Sequence, residues 1–174
     1  MGKLFLPFIE LKKSVVISWI AIILFGGVLF YFIHIYKQVM DDKVSQYDEV
    51  RQYLLEEEPT ISKINTIERY HGDKLYYVAD AEMEENNAFI FVTENDTDFH
   101  YNVYNKDDFY ATDEILTEWQ NSCSNCKLIN SAIGMLNGNP ALEIKYMLDK
   151  QLVYEHVLLS DKSTYTLTID PLIN

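Results

Sequence analysis

From Ser14 to Tyr36 the chain runs for 23 residues without a Lys, Arg, Asp or Glu. At about 1.5 Å rise per residue this is roughly 34 Å of helix, slightly more than the roughly 30 Å hydrocarbon core of a bilayer. A transmembrane helix over 14–36 is therefore expected. Its Gly26-Gly27 pair is tolerable in lipid, where the helix must satisfy its own backbone. Beyond it, Val39, Met40, Val44, Tyr47, Val50 and Leu54 recur at helical spacing, which predicts an amphipathic helix from about Lys37 to Glu57, stopped by Glu58-Pro59. The period then changes to two. Strands are predicted over Ile61–Tyr70, Lys74–Ala79, Ala88–Thr93 and Phe99–Tyr104, separated by His71-Gly72-Asp73, Glu84-Glu85-Asn86-Asn87 and Asn95-Asp96-Thr97-Asp98.

The order repeats in weaker form. A short helix fits Ala111–Gln120, with Thr112 as its N-cap and Ile115, Leu116 and Trp119 on one face. Strands follow over Lys127–Met135, Leu142–Leu148, Leu152–Leu159 and Thr164–Ile169. Two units of one helix and an antiparallel sheet are implied. Each is small enough to be marginal alone, so the two are expected to pack into one body.

Charge sets the direction. Acidic residues outnumber basic ones 27 to 14, a net charge of -13, which opposes binding to nucleic acid. Lys3, Lys12 and Lys13 against Glu10 leave the flank before the span positive, so the N-terminus is expected in the cytoplasm and the remainder outside. The stretch Tyr31–Tyr36 offers no small-residue cleavage site, which favours an uncleaved anchor over a signal peptide. A pilin-like leader, suggested by Phe8-Ile9-Glu10, is disfavoured by Lys12-Lys13.

No constellation for catalysis stands out. Cys123-Ser124-Asn125-Cys126 has the spacing of a thiol-disulfide oxidoreductase, but it follows a helix instead of opening one. A local disulfide between Cys123 and Cys126, or two inert thiols, is the plainer reading. His34, His71, His100 and His156 fall in four segments, so no metal site is expected, and neither is a cofactor. Asp96 begins something like a calcium loop, yet the position that needs Gly is Tyr101. Aromatics are in surplus, with 13 Tyr and 9 Phe. Tyr70, Tyr76, Tyr101 and Tyr104 are the candidate partner face, because period-two strands turn half their side chains away from a core; filling the core between the units is the competing assignment.

The span, the helix beginning Tyr36-Lys37-Gln38-Val39-Met40, the run Ile67-Glu68-Arg69-Tyr70-His71-Gly72-Asp73-Lys74-Leu75-Tyr76-Tyr77-Val78, the strand Ala88-Phe89-Ile90-Phe91-Val92 and the hairpin segment Leu142–Lys150 together resemble the YpmB/TseB proteins of Gram-positive bacteria. The resemblance implies an α+β fold: a single N-terminal transmembrane helix followed by two tandem cystatin-like, PepSY-related units. The divisions are a cytoplasmic tail at 1–13, the membrane helix at 14–36, a first unit at 37–107 and a second at 108–174. It further implies a non-enzymatic regulator of cell wall elongation that binds a penicillin-binding transpeptidase at the membrane. Two departures stand out: Ser160–Tyr165 lacks the Gly usual in that turn, and Cys123 and Cys126 have no family counterpart. The alternatives are a membrane-anchored thiol-disulfide protein using Cys123 and Cys126, or a small-ligand sensor.

Overall fold

The computed structural model describes residues 13–95 and 98–170. Lys3, Glu10 and Lys12, and Asp96 with Thr97 of the suggested calcium loop, lie outside the described residues. The chain divides into two compact units, Met1–Gln46 and Tyr47–Asn174.

In the first unit the described residues belong to helix α1 (Lys13–Glu57), which continues into the second. Ile17–Gln38 is long and apolar enough to cross a membrane, with a mean hydropathy of 2.1. Its apolar side chains, among them Trp19, Phe25, Phe30 and Ile33, are exposed all round, which suits a helix solvated by lipid. The amphipathic helix anticipated from Lys37 is not a separate element. The side-chain pattern changes there, but no Gly or Pro lies between Tyr36 and Glu57 to break the backbone ladder.

The second unit holds two antiparallel sheets in chain order. The first contains β1 (Ile61–His71), β2 (Leu75–Met83), β3 (Asn87–Asn95) and β4 (Asp98–Asn105). A 3-10 turn at Lys106–Asp108, whose amide at Asp107 donates to Asn105 Oδ1 at 3.0 Å, leads to α2 (Thr112–Ser122). The second sheet contains β5 (Cys126–Leu136), β6 (Asn139–Leu148), β7 (Gln151–Leu158) and β8 (Thr164–Ile169). The N-cap of α2 is Ala111, not Thr112, and makes no side-chain cap bond. Asp113 and Glu114 in the first turn face the positive end of the helix dipole instead.

At its central strands β2 and β3 the first sheet is buried on both faces. On one, Tyr77, Ala79, Ala81, Ile90 and Val92 pack under Val50 and Leu54 of α1. On the other, Tyr76, Val78, Phe89 and Phe91 join a core with Ile115 and Trp119 of α2 and Leu142, Ile144, Tyr146, Val153 and Val157 of the second sheet. Burial of each large apolar side chain stabilises by about 1.5–3 kcal/mol. Trp119 lies 5.0 Å from Tyr146, ring centre to ring centre, fixing α2 on the second sheet. The Cys123–Cys126 disulfide closes the connection from α2 to β5.

Two turns arise directly from sequence chemistry. Asn137 (φ 51°) and Gly138 (φ 79°) form the two-residue link between β5 and β6, the Asn-Gly pair that such hairpins favour. In the β7–β8 turn Lys162 occupies φ 58°, where a glycine would be unstrained. Its ammonium is held at 2.6 Å by Glu114 and at 2.8 Å by Glu118, and lies 4.5 Å from the centre of the Tyr110 ring. A charged side chain with three partners thus replaces the missing Gly.

Candidate functional site

A cleft with a polar floor lies where the β1–β2 turn meets the second sheet. Register places Gly134, Ala141 and Leu158 in one cross-strand row, and Ala132, Glu143, His156 and Tyr165 in the next, all on the face of the second sheet turned away from α2. Tyr70, near the end of β1, lays its ring against this face. A Cβ on Gly134 would overlap that ring, and one on Gly72 would come within 2.8 Å of it. Glycine is required at 134 because another backbone's side chain sits directly on the strand.

The Tyr70 hydroxyl donates to Glu143 Oε2 at 3.3 Å and lies 3.2 Å from His156 Nε2, which is itself 3.1 Å from the same carboxylate oxygen. Burial, then the adjacent Glu143 charge, pushes the Tyr70 phenol up, so it stays protonated and serves as a hydrogen-bond donor. The three groups form the floor of a cleft of about 410 Å³. Its rim comes from His71, Gly72 and Asp73 on one side and Leu136 with Asn137 on the other, and Tyr154, Leu167 and Ile169 make an apolar wall. The arrangement can hold a polar group against Glu143 and His156 and an apolar one against β8. Among the described residues no group of three or more His, Cys, Asp or Glu is placed to hold a metal ion.

Among solved structures, the YpmB protein from Bacillus subtilis matches this architecture with a TM-score of 0.55 and 13% identity, covering 67% of this chain and 91% of that one. The fold is YpmB-like. At that identity the likeness speaks for the fold alone. No family model matches the chain, and neither does a curated protein.

Within this YpmB-like fold the four candidate tyrosines do not share a surface. Tyr70 and Tyr76 are each only 6% exposed and belong to the core. Tyr76 donates to Asp73 at 3.1 Å and stands edge-on to Phe91, which in turn stacks edge-on with Tyr104 at 5.4 Å. Tyr101 is on the opposite face, 5.9 Å from the ring of Tyr53 in α1, with its hydroxyl 3.4 Å from Glu58. The four do not form one face: Tyr70 and Tyr76 are buried, Tyr101 and Tyr104 are half-buried on opposite sides of the sheet, and the hydroxyls of Tyr70, Tyr76 and Tyr101 have partners inside the fold.

Tyr154, Tyr165, Leu167 and Ile169 are the residues that sequence reasoning missed. Alternation puts Tyr165, Leu167 and Ile169 on one side of β8, but it could not tell that this side is left largely open by the described residues; they are 65%, 56% and 44% exposed. Gly134 in mid-strand was the available signal for the close approach of Tyr70. The two cysteines are disulfide-bonded, and Cys123 caps the C-terminal end of α2, where the dipole does not favour a thiolate.

Proposed function

We propose that this protein is a membrane-anchored extracytoplasmic binding module, without catalytic activity, that regulates cell wall elongation by docking on a penicillin-binding transpeptidase. The observation that carries the reading is the open face of the second sheet, where Tyr165 and Leu167 are exposed in a YpmB-like fold whose other sheet is covered on both sides at its central strands. The span Ile17–Gln38 supports anchoring, and the Lys3, Lys12 and Lys13 flank supports export of the C-terminal part. The Cys123–Cys126 disulfide suits an oxidising compartment. Anchoring confines both partners to one plane, so a modest interface suffices.

Photo-crosslinkers at Tyr165 and Leu167 in native membranes should recover a cell-wall transpeptidase. Recovery of no wall enzyme overturns the reading, as does protection of residues 47–170 from protease added to intact spheroplasts. A second reading, a small-ligand sensor, is favoured by the cleft over Glu143 and His156. Ligand-dependent chemical shifts confined to Tyr70, Tyr154 and His156 would support it over the first.

A further inference from the structure

Strand β8 differs from the other seven. Thr164-Tyr165-Thr166-Leu167-Thr168-Ile169 contains no charged side chain, whereas each of β1 to β7 carries at least one Asp, Glu, Lys or Arg. It is also an edge: β7 lies on one side of it, and among the described residues no strand pairs with the other. All six residues are exposed. Soluble proteins usually blunt such edges with charge, proline or a bulge inside the strand, and β8 has none of these.

Its charges stand just beyond the two ends. Asp161 precedes the strand and Asp170 comes directly after it, both exposed. Of the nearby cations, Lys162 is turned to Glu114 and Glu118 of α2, and Lys145 lies over the ring of Tyr154, the cross-strand neighbour of Leu167. If two copies of this chain paired antiparallel along β8, Asp161 of each would fall within two positions of Asp170 of the other; parallel pairing would set like residues together. Either register brings carboxylate to carboxylate, between two molecules of net charge -13. The same bracket is attractive to a segment of opposite sign.

We propose that β8 is a strand-addition site for an extended segment of another protein, with an uncharged, β-branched centre and a Lys or Arg near each end. Backbone pairing to β8 supplies the affinity, the Tyr165, Leu167 and Ile169 row packs against alternate side chains, and Asp161 with Asp170 set the charge preference. The proposal rests on the reading of this protein as a binding module and names the edge on which it binds.

The test uses the full chain in detergent micelles and two short peptides of alternating threonine and valine, one with lysine at each end and one with glutamate. The lysine peptide should slow hydrogen exchange across Thr164–Ile169 and bind roughly fivefold or more tighter than the glutamate peptide at low salt. Replacing Asp161→Asn and Asp170→Asn together, which keeps the side-chain oxygens that accept local hydrogen bonds, should erase that preference while leaving protection by either peptide. Slowed exchange confined to other strands, equal affinity for both peptides in the parent chain, or self-association through β8 without peptide each overturns the proposal. The two readings fail separately. A transpeptidase captured in membranes through another surface, with β8 unprotected, sinks the strand-addition site alone. Lysine-peptide binding at β8 with no wall enzyme recovered sinks the transpeptidase partner alone.

Discussion

The two sheets have the same strand order and the same number of strands but opposite relations to water. The first is a filling between layers: six consecutive residues of β3, Ala88 to Thr93, are buried, because α1 covers one face and the shared core the other. The second is covered by α2 on one face and only partly by Tyr70 on the other, and its last strand is exposed at every position. Burial on both sides of its central strands makes the first sheet a scaffold. One open face and an open edge make the second the surface that can bind.

The largest expected effect probes the scaffold. Phe91 is 1% exposed and packed between the rings of Tyr76 and Tyr104. Phe91→Ala should lower unfolding free energy by about 3–5 kcal/mol in urea titration. A loss under about 1 kcal/mol would mean that this face of the sheet is not a packed core.

Next comes the joint between the sheets. Gly134→Ala forces the Tyr70 ring off the strand and should cost about 1–3 kcal/mol. With Tyr70→Ala in the same chain most of that cost should vanish, since the obstructing ring is gone. Additive losses in the double-mutant cycle would refute a direct contact. Removing the short clamp by Cys123→Ser with Cys126→Ser should cost about 2 kcal/mol from loop closure. The expected signature is a lower urea midpoint that added reductant reproduces in the parent chain and leaves unchanged in the variant.

Much of this architecture was legible in the chain. The strands match their alternation to within a few residues, and Asn137-Gly138 marks its turn openly. What alternation could not supply was which faces are covered. In β2 and β3 both faces are buried, so period two carries no direction there, and tyrosines with polar tips read equally well as surface or core. The Tyr70 floor was hidden for another reason: its partners lie 73 and 86 residues away, and only packing brings them together. The continuity of α1 is hidden from hydropathy because the solvent around a helix can change, from lipid to a protein core, while its backbone ladder runs on unbroken.

Each sheet also carries a buried phenol that titrates late. Burial first, then hydrogen bonding to Asp73, pushes Tyr76 up to about 12; burial and Glu155 do the same for Tyr146. An unfolded phenol ionises near pH 10. Above that, the native state keeps protons that the unfolded state has lost, so stability is full below about pH 10 and falls as pH rises towards 12. Tyr76→Phe and Tyr146→Phe should each flatten this alkaline decline in urea midpoints measured across that window. An unchanged slope in both variants would show that neither proton is held by the fold.

The smallest expected effect on stability bears most directly on the contrast between the sheets. Leu167 is 56% exposed on the outer face of β8, where it walls the cleft without entering the core. Leu167→Ser should therefore change unfolding free energy by no more than about 0.5 kcal/mol, as exposed substitutions do. The same change removes an apolar contact from the open face and should weaken capture of a partner in membrane crosslinking. A loss of several kcal/mol would place Leu167 in a core and make the second sheet as enclosed as the first. Unaltered stability together with unaltered capture would leave the open face without a binding role.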